Sequence, residues 1–239
     1  MSRINDIWQR KPAGLVLGMD FSGERITSPT GHSGTLVGNA AVAAGTRYLA
    51  CDGVGDYLSV ADAPEFTFNS AGQDLPFSVM CWFKATTLPA ANIPLLTKAS
   101  SATTFEWVFR VNGGGFPQFV ALNTTATAYR GRRCNATGTY FTTGIWYHMA
   151  GTYSGNEANS GFRVFIGAVQ SDTADASTGT YTGMTDTTSP VAVGGALAGS
   201  ESFNGAIADV RIYNRELTQP EIAQIYNAGA ARIALGGTP

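Results

Sequence analysis

Charge is what this 239-residue sequence has least of. Asp, Glu, Lys and Arg together make up 13% of it, against about 25% in an ordinary soluble domain. Lysine occurs only at Lys11, Lys84 and Lys98, the remaining basic residues are arginine, and the net charge is -2. No basic stripe runs along any segment, which argues against nucleic acid as a partner. Cys51, Cys81 and Cys134 are the only cysteines. Three thiols without a Cys-x-x-Cys or Cys/His spacing make neither a disulfide framework nor a zinc site. The longest apolar runs, such as Phe77 to Phe83, are far too short for a membrane-spanning helix. The first twelve residues, Met1 to Pro12, lack the apolar core and small-residue cleavage site of a secretory signal. Either a signal has been removed or the protein reaches its destination without one, and the retained Met1 favours the second.

What is present is 29 glycines, a Thr/Ser-rich texture and 44% apolar residues, the composition of many short strands joined by tight turns. Leu15 to Met19, Thr35 to Val37, Tyr57 to Val60, Leu95-Leu96, Phe105 to Val111 and Phe116 to Leu122 read as strands. Asn112-Gly113-Gly114-Gly115 between the last two reads as a hairpin turn. Phe77 to Phe83 is apolar at every second residue on both faces, the pattern of a central strand covered on both sides. Ile145 to Tyr153 and Phe162 to Ile166 form a second apolar pair around a polar loop, 154–161. Residues 171–189 read as a long surface excursion, and Val191 to Gly194 and Gly205 to Tyr213 close the series. Thr218-Gln219-Pro220-Glu221 is a capping box that starts a helix. Leu217 staples onto Ile222, the apolar stripe is Ile222, Ile225 and Tyr226, and Gly229 is placed to end the helix. A dozen or so strands with one terminal helix predict an all-β fold, a two-sheet antiparallel sandwich.

Residues 1–13 show no strand alternation and read as an N-terminal arm ahead of one domain, 14–239. Ile4, Ile7 and Trp8 fall at helical spacing, an apolar face that either packs on its own domain or anchors in a partner.

Five blocks, in this order, resemble the laminin-G-like, concanavalin A-like jelly-roll family. They are Tyr48 to Val60 with Asp52-Gly53-Val54-Gly55-Asp56-Tyr57, Phe77 to Lys84, Trp146 to Tyr153, Arg163 to Val169, and Phe203 to Arg215 with its helix. The resemblance covers Met19 to Asn227 and implies a jelly-roll sandwich that binds sugars or proteins. It also implies a structural calcium site, for which Asp20, Asp52 and Asp209 are the acids best placed. The turn Ser28 to Gly34, acidic in many relatives, has no acid here. The resemblance places Trp82 and Trp146 in the core. Independently of the family, Asp52 to Asp56 reads as a turn whose glycines supply positive φ and whose acids bond nearby amides.

The chemistry-bearing residues do not assemble a catalytic site. His148 sits in an apolar strand as a core group, and no nucleophile elbow accompanies it. Glycoside hydrolysis needs two carboxylates at a set separation, whereas Glu106 stands alone and no strand carries clustered acids. Cys134 follows Arg132 and Arg133, which could lower its pKa, but no general base is paired with it and it reads as a loop thiol. For binding, Trp107, Tyr129, Arg130, Arg132 and Tyr140 are the candidates: aromatic faces stack on sugar rings and arginines bond their hydroxyls. The expected function is non-enzymatic binding by a surface protein, a phage virion decoration, fibre or receptor-binding subunit. Its partners would be capsid or other virion proteins or cell-surface glycans, its location the virion surface, and a homo-oligomer is compatible with that role. The alternatives are an extracellular carbohydrate-binding module of a secreted system and a glycoside hydrolase.

Overall fold

The structure is a computed structural model that describes residues 12–21, 28, 30–42, 45–88, 91–101, 104–123, 127–135, 140–195 and 201–239. Its strands, in chain order, are β1 Leu15–Met19, β2 Gly34–Val37, β3 Leu49–Asp52, β4 Tyr57–Val60, β5 Asn69–Ser70, β6 Gln73–Asp74, β7 Phe77–Ala85, β8 Ile93–Ser101 and β9 Thr104–Val111. They continue with β10 Pro117–Leu122, β11 Tyr129–Arg133, β12 Tyr147–Tyr153, β13 Phe162–Ile166, β14 Val169–Gln170, β15 Ala174–Asp175, β16 Val191–Val193 and β17 Asn204–Tyr213, followed by helix α1, Gln219–Ala234. One sheet runs β1-β17-β7-β12-β13-β14 with β3 also on β17, and the other runs β15-β11-β10-β9-β8-β16-β4-β2. All strand pairs between them are antiparallel. The expected two-sheet sandwich with a C-terminal helix is what the chain forms. Among the described residues no helix is long and apolar enough to cross a membrane.

Strand β7 shows why. Phe77, Val79, Cys81 and Phe83 point into the space between the sheets, where they meet Trp107, Phe109 and Phe119 of the opposite sheet. Met80 points the other way, into a second apolar layer with Leu217 and Ile222 at the start of α1, and Trp82 stacks under Tyr226 of the helix at 5.5 Å. The helix thus covers the outside of this sheet, and the double-sided apolar pattern of β7 is its signature.

The two stretches at either end of the chain pair directly: Asn204, Gly205, Ala206 and Ile207 of β17 lie opposite Asp52, Cys51, Ala50 and Leu49 of β3. The next strand, β4, belongs to the other sheet, so Asp52 to Asp56 is a corner between sheets. Gly53 and Gly55 adopt φ of 90° and 70° there, as a turn of this kind requires. Buried Asp56 accepts from the amides of Asn39 and Asp52 at 2.8 and 2.9 Å.

Three features depart from expectation. The helix does not stop at Gly229 but runs on to Ala234. A Cβ at Gly229 would lie 2.5 Å from Trp82 Nε1, so the glycine serves close approach to the ring. Trp146 is half-buried at the surface beside Tyr48, with the Lys84 ammonium 5.2 Å from its ring. Finally, 171–189 is tied down as well as superficial. Asp74 Oδ2 accepts from the hydroxyls of Tyr153 and Tyr181 at 2.8 and 2.6 Å, and Oδ1 from the Met184 amide at 2.7 Å.

Candidate functional site

With α1 on one sheet, the outer face of the other sheet is the broad surface left for a ligand. Side chains alternate across a strand, and residues directly opposite on neighbouring strands share a face. The hairpin turn at Asn112 fixes the β9–β10 register, which sets Arg110 opposite Gln118. In turn Gln118 lies opposite Arg133 of β11. Arg110, Gln118 and Arg133 therefore form one row across three strands, with the two arginine Cα atoms about 10 Å apart by strand spacing. Their neighbours Trp107, Phe109 and Phe119 point inward and are buried.

This row floors a cavity of 440 Å³, lined also by Asn92, Asn112, Gly113, Gly114, Tyr129, Asp175, Ala176 and Ser177. Beside the polar row an apolar strip of Val108, Val120, Leu122 and Ala176 carries Tyr129. The Arg110 Nε donates to Gln118 Oε1 at 2.7 Å, which leaves the Gln118 Nε2 as a donor. The Asn112 Oδ1 accepts from the Gly114 and Phe116 amides at 3.0 and 3.1 Å, so its amide nitrogen is likewise a donor. Asn92 braces the turn, accepting from Gly113 N at 3.1 Å while donating to Glu201 at 2.7 Å. Burial pulls the Arg110 guanidinium below its ordinary value, with Glu201 opposing. The result is a pocket rich in donors next to an aromatic ring, a combination suited to sugar hydroxyls and other oxygen acceptors.

The candidates expected from sequence are distributed differently. Tyr129 lines the cavity. Trp107 does not reach it: its side chain is fully buried, 5.8 Å from Phe77. Arg130 is engaged by the carbonyls of Tyr129, Thr178 and Gly179 at 2.9 to 3.1 Å. Arg132 pairs with Asp172 at 2.8 Å and with Asp175. Tyr140 is half-buried and packs edge-on to Phe116 at 6.3 Å. Ile4, Ile7 and Trp8 lie outside the described residues.

Of the acids expected to hold a calcium ion, Asp52 and Asp209 are engaged by protein groups and stand apart from one another. Asp209 sits in a one-residue bulge of β17 at φ 46°, and both its oxygens receive Arg211 at 2.7 and 3.0 Å. Asp52 accepts from Val54 N and Asn39 Nδ2 at 2.7 and 2.8 Å. It stands opposite Asn204, five residues along the strand from Asp209, or about 16 Å. Among the described residues no group of three or more His, Cys, Asp or Glu could hold a metal ion.

Other reactive groups are quenched by burial. Glu106 falls in a register break of β9 and meets the buried Lys98 ammonium at 2.6 Å, while Thr187 donates through N and Oγ1 at 2.9 and 2.6 Å. Burial pushes the Cys134 thiol up to about 12, with Asp172 adding to it, so Arg132 and Arg133 do not activate it. His148 is buried between Trp82 and Tyr226 with Nδ1 3.1 Å from the Gly167 carbonyl, and burial draws it down to about 4.

The concanavalin A-like lectin/glucanases profile of laminin G type matches residues 52–223. The chain belongs to this superfamily. No curated protein sequence matches it. Among solved structures, domain 4 of AbnA, a GH43 extracellular arabinanase from Geobacillus stearothermophilus in complex with arabinotriose, is similar at 17% identity and a TM-score of 0.63. That match covers 90% of this chain and 100% of the other. The receptor binding domain of a botulinum neurotoxin C/D mosaic serotype is similar at 12% identity and a TM-score of 0.63, with coverages of 92% and 52%. Trypanosoma rangeli sialidase is similar at 18% identity and a TM-score of 0.60, with coverages of 89% and 33%. The chain thus spans about half of the toxin domain and a third of the sialidase. At these identities the likeness shows the fold.

The residues missed at the sequence level are Arg110, Gln118 and Arg133. Their signal was available in strand alternation. Arg110 and Gln118 are the polar interruptions of two apolar strands, and a tight turn at Asn112 makes them partners. In Tyr129-Arg130-Gly131-Arg132-Arg133, period two separates Tyr129 and Arg133 from Arg130 and Arg132.

Proposed function

We propose that this protein is a non-enzymatic glycan-binding domain whose site is the cavity over Arg110, Gln118 and Arg133. The observation that carries the reading is the donor-rich pocket with Tyr129 at its side, on the sheet face that α1 leaves open. The arabinotriose-bound arabinanase domain and the toxin receptor-binding domain, which share the fold, support it. The lining supports binding without turnover. Among the described residues its one carboxylate is Asp175, engaged by Arg132, and hydrolysis of a glycosidic bond uses two.

Within this reading we place the domain on a virion surface, as a decoration, fibre or receptor-binding subunit that meets host glycans. The low charge, the unpaired thiols and the arm carrying Ile4, Ile7 and Trp8 motivate that placement. A chain lacking residues 2–13 should then keep its glycan affinity and lose its seat on the particle; equal occupancy of the particle would contradict the placement. A carbohydrate-binding module of a secreted system is the second reading, favoured by the full-length match to the arabinanase domain.

Affinity electrophoresis through gels containing single polysaccharides tests the binding itself. At least one polysaccharide should retard the wild type and not a Gln118→Ala/Tyr129→Ala variant. Equal migration of both proteins in every gel would overturn the site.

A further inference from the structure

Resting on that reading, we infer that the cavity selects glycans bearing an anionic group, a carboxylate or a sulfate, seated between Arg110 and Arg133. Four cations of the described structure are matched to carboxylates: Lys98 with Glu106 and Asp62, Arg132 with Asp172 and Asp175, Arg211 with Asp209, and Arg215 with Glu221. Arg110 and Arg133 are not among them, and they alone of the remaining cations line this cavity. Among the described residues neither guanidinium has a carboxylate within ion-pair distance; Arg110 makes one side-chain hydrogen bond, to Gln118, and Arg133 makes none. Both belong to one row and line one cavity.

A guanidinium presents a planar fork of donors matched to two oxygens of a carboxylate or sulfate. It is worth more where it is partly desolvated, as Arg110 is. The negative groups nearby do not fill this role. Asp175 at the rim is held by Arg132. Glu201 accepts from Asn92, and its charge reaches Arg110 without forming an ion pair. An acidic sugar would set its anion between the arginines, accept from Gln118 Nε2 and Asn112 Nδ2 through its hydroxyls, and lay its ring against Tyr129. A neutral sugar would use only the last two of these, leaving the charges unmatched.

The test is a panel of immobilised oligosaccharides in three arms, neutral, carboxylated (uronate- or sialate-bearing) and sulfated, probed with wild type, Arg133→Gln and Gln118→Ala. Among the described residues the Arg133 side chain makes no hydrogen bond or ion pair, so Arg133→Gln should keep the wild-type melting temperature. Binding is expected in an anionic arm, weakened about 10- to 100-fold by Arg133→Gln, in proportion to one charge-assisted pair. It should also weaken as salt rises. The carboxylated and sulfated arms show which anion is read. Binding confined to neutral glycans, lost in Gln118→Ala and unchanged in Arg133→Gln, would overturn this inference and leave the site standing. Binding that neither variant alters, or binding in none of the arms, would overturn both.

Discussion

His148 is kept neutral by its burial between Trp82 and Tyr226, and that ties stability to pH in a definite direction. Its folded pKa is about 4, below the unfolded value near 6.5. The unfolded chain therefore takes up the proton first as pH falls. Stability is full above about pH 6.5 and is lost progressively down to about 4, by at most ~3 kcal/mol. Urea unfolding of wild type and His148→Phe at pH 7 and pH 4.5 should show a smaller pH loss in the variant; equal losses would exclude this role. The thiols carry a second prediction at this scale. With Cys51 and Cys134 pushed up to about 12 by burial and Cys81 buried as well, the native protein should resist iodoacetamide at pH 8. Alkylation should follow unfolding, as mass spectrometry would read directly.

Helix α1 shows how far sequence reaches at the scale of an element. Its start was legible because capping chemistry is local: Thr218 N donates to Glu221 Oε2 at 2.9 Å, and Arg215 forks onto the same carboxylate at 2.6 and 3.1 Å. That carboxyl is drawn down to about 2, chiefly by Arg215. Glu221→Gln should cost about 1 kcal/mol, the worth of a cap and a largely exposed pair, measured by urea denaturation. The helix end was not legible, because Gly229 answers to Trp82 on a strand nearly 150 residues away and not to its neighbours. The contest is decided by magnitude. Ala in place of a mid-helix Gly gains about 1 kcal/mol from propensity, whereas overpacking against a fixed ring costs about 1–3 kcal/mol. Trp82 packs against both His148 and Tyr226, so Gly229→Ala is expected to destabilise; a stabilised variant would show that the ring yields.

Across the whole molecule, the sandwich was legible from the pairing blocks and the double-sided strand β7, while the site was legible only in part. Tyr129 was found by its residue type. Arg110, Gln118 and Arg133 come together only through the registers of three strands, and Trp107 was misplaced because the inward phase of β9 depends on that same registration. Buried charge has a structural role at the far end of this sheet. Lys98 and Glu106 hold the loop at Thr187 against it, with Lys98 also donating to the Thr187 carbonyl at 3.2 Å. Lys98→Met leaves a buried carboxylate without its cation and should cost about 3–5 kcal/mol. Adding Glu106→Leu should restore part of it, which denaturation of the two variants would establish.

Amide chemical-shift mapping with a retained glycan asks whether the open sheet is the ligand face. Perturbations are expected to concentrate at Arg110, Asn112 to Gly114, Gln118, Tyr129 and Arg133. Perturbations centred instead on the Pro12, Tyr213 and Ile225 groove beside α1, with the Arg110 row unmoved, would contradict it.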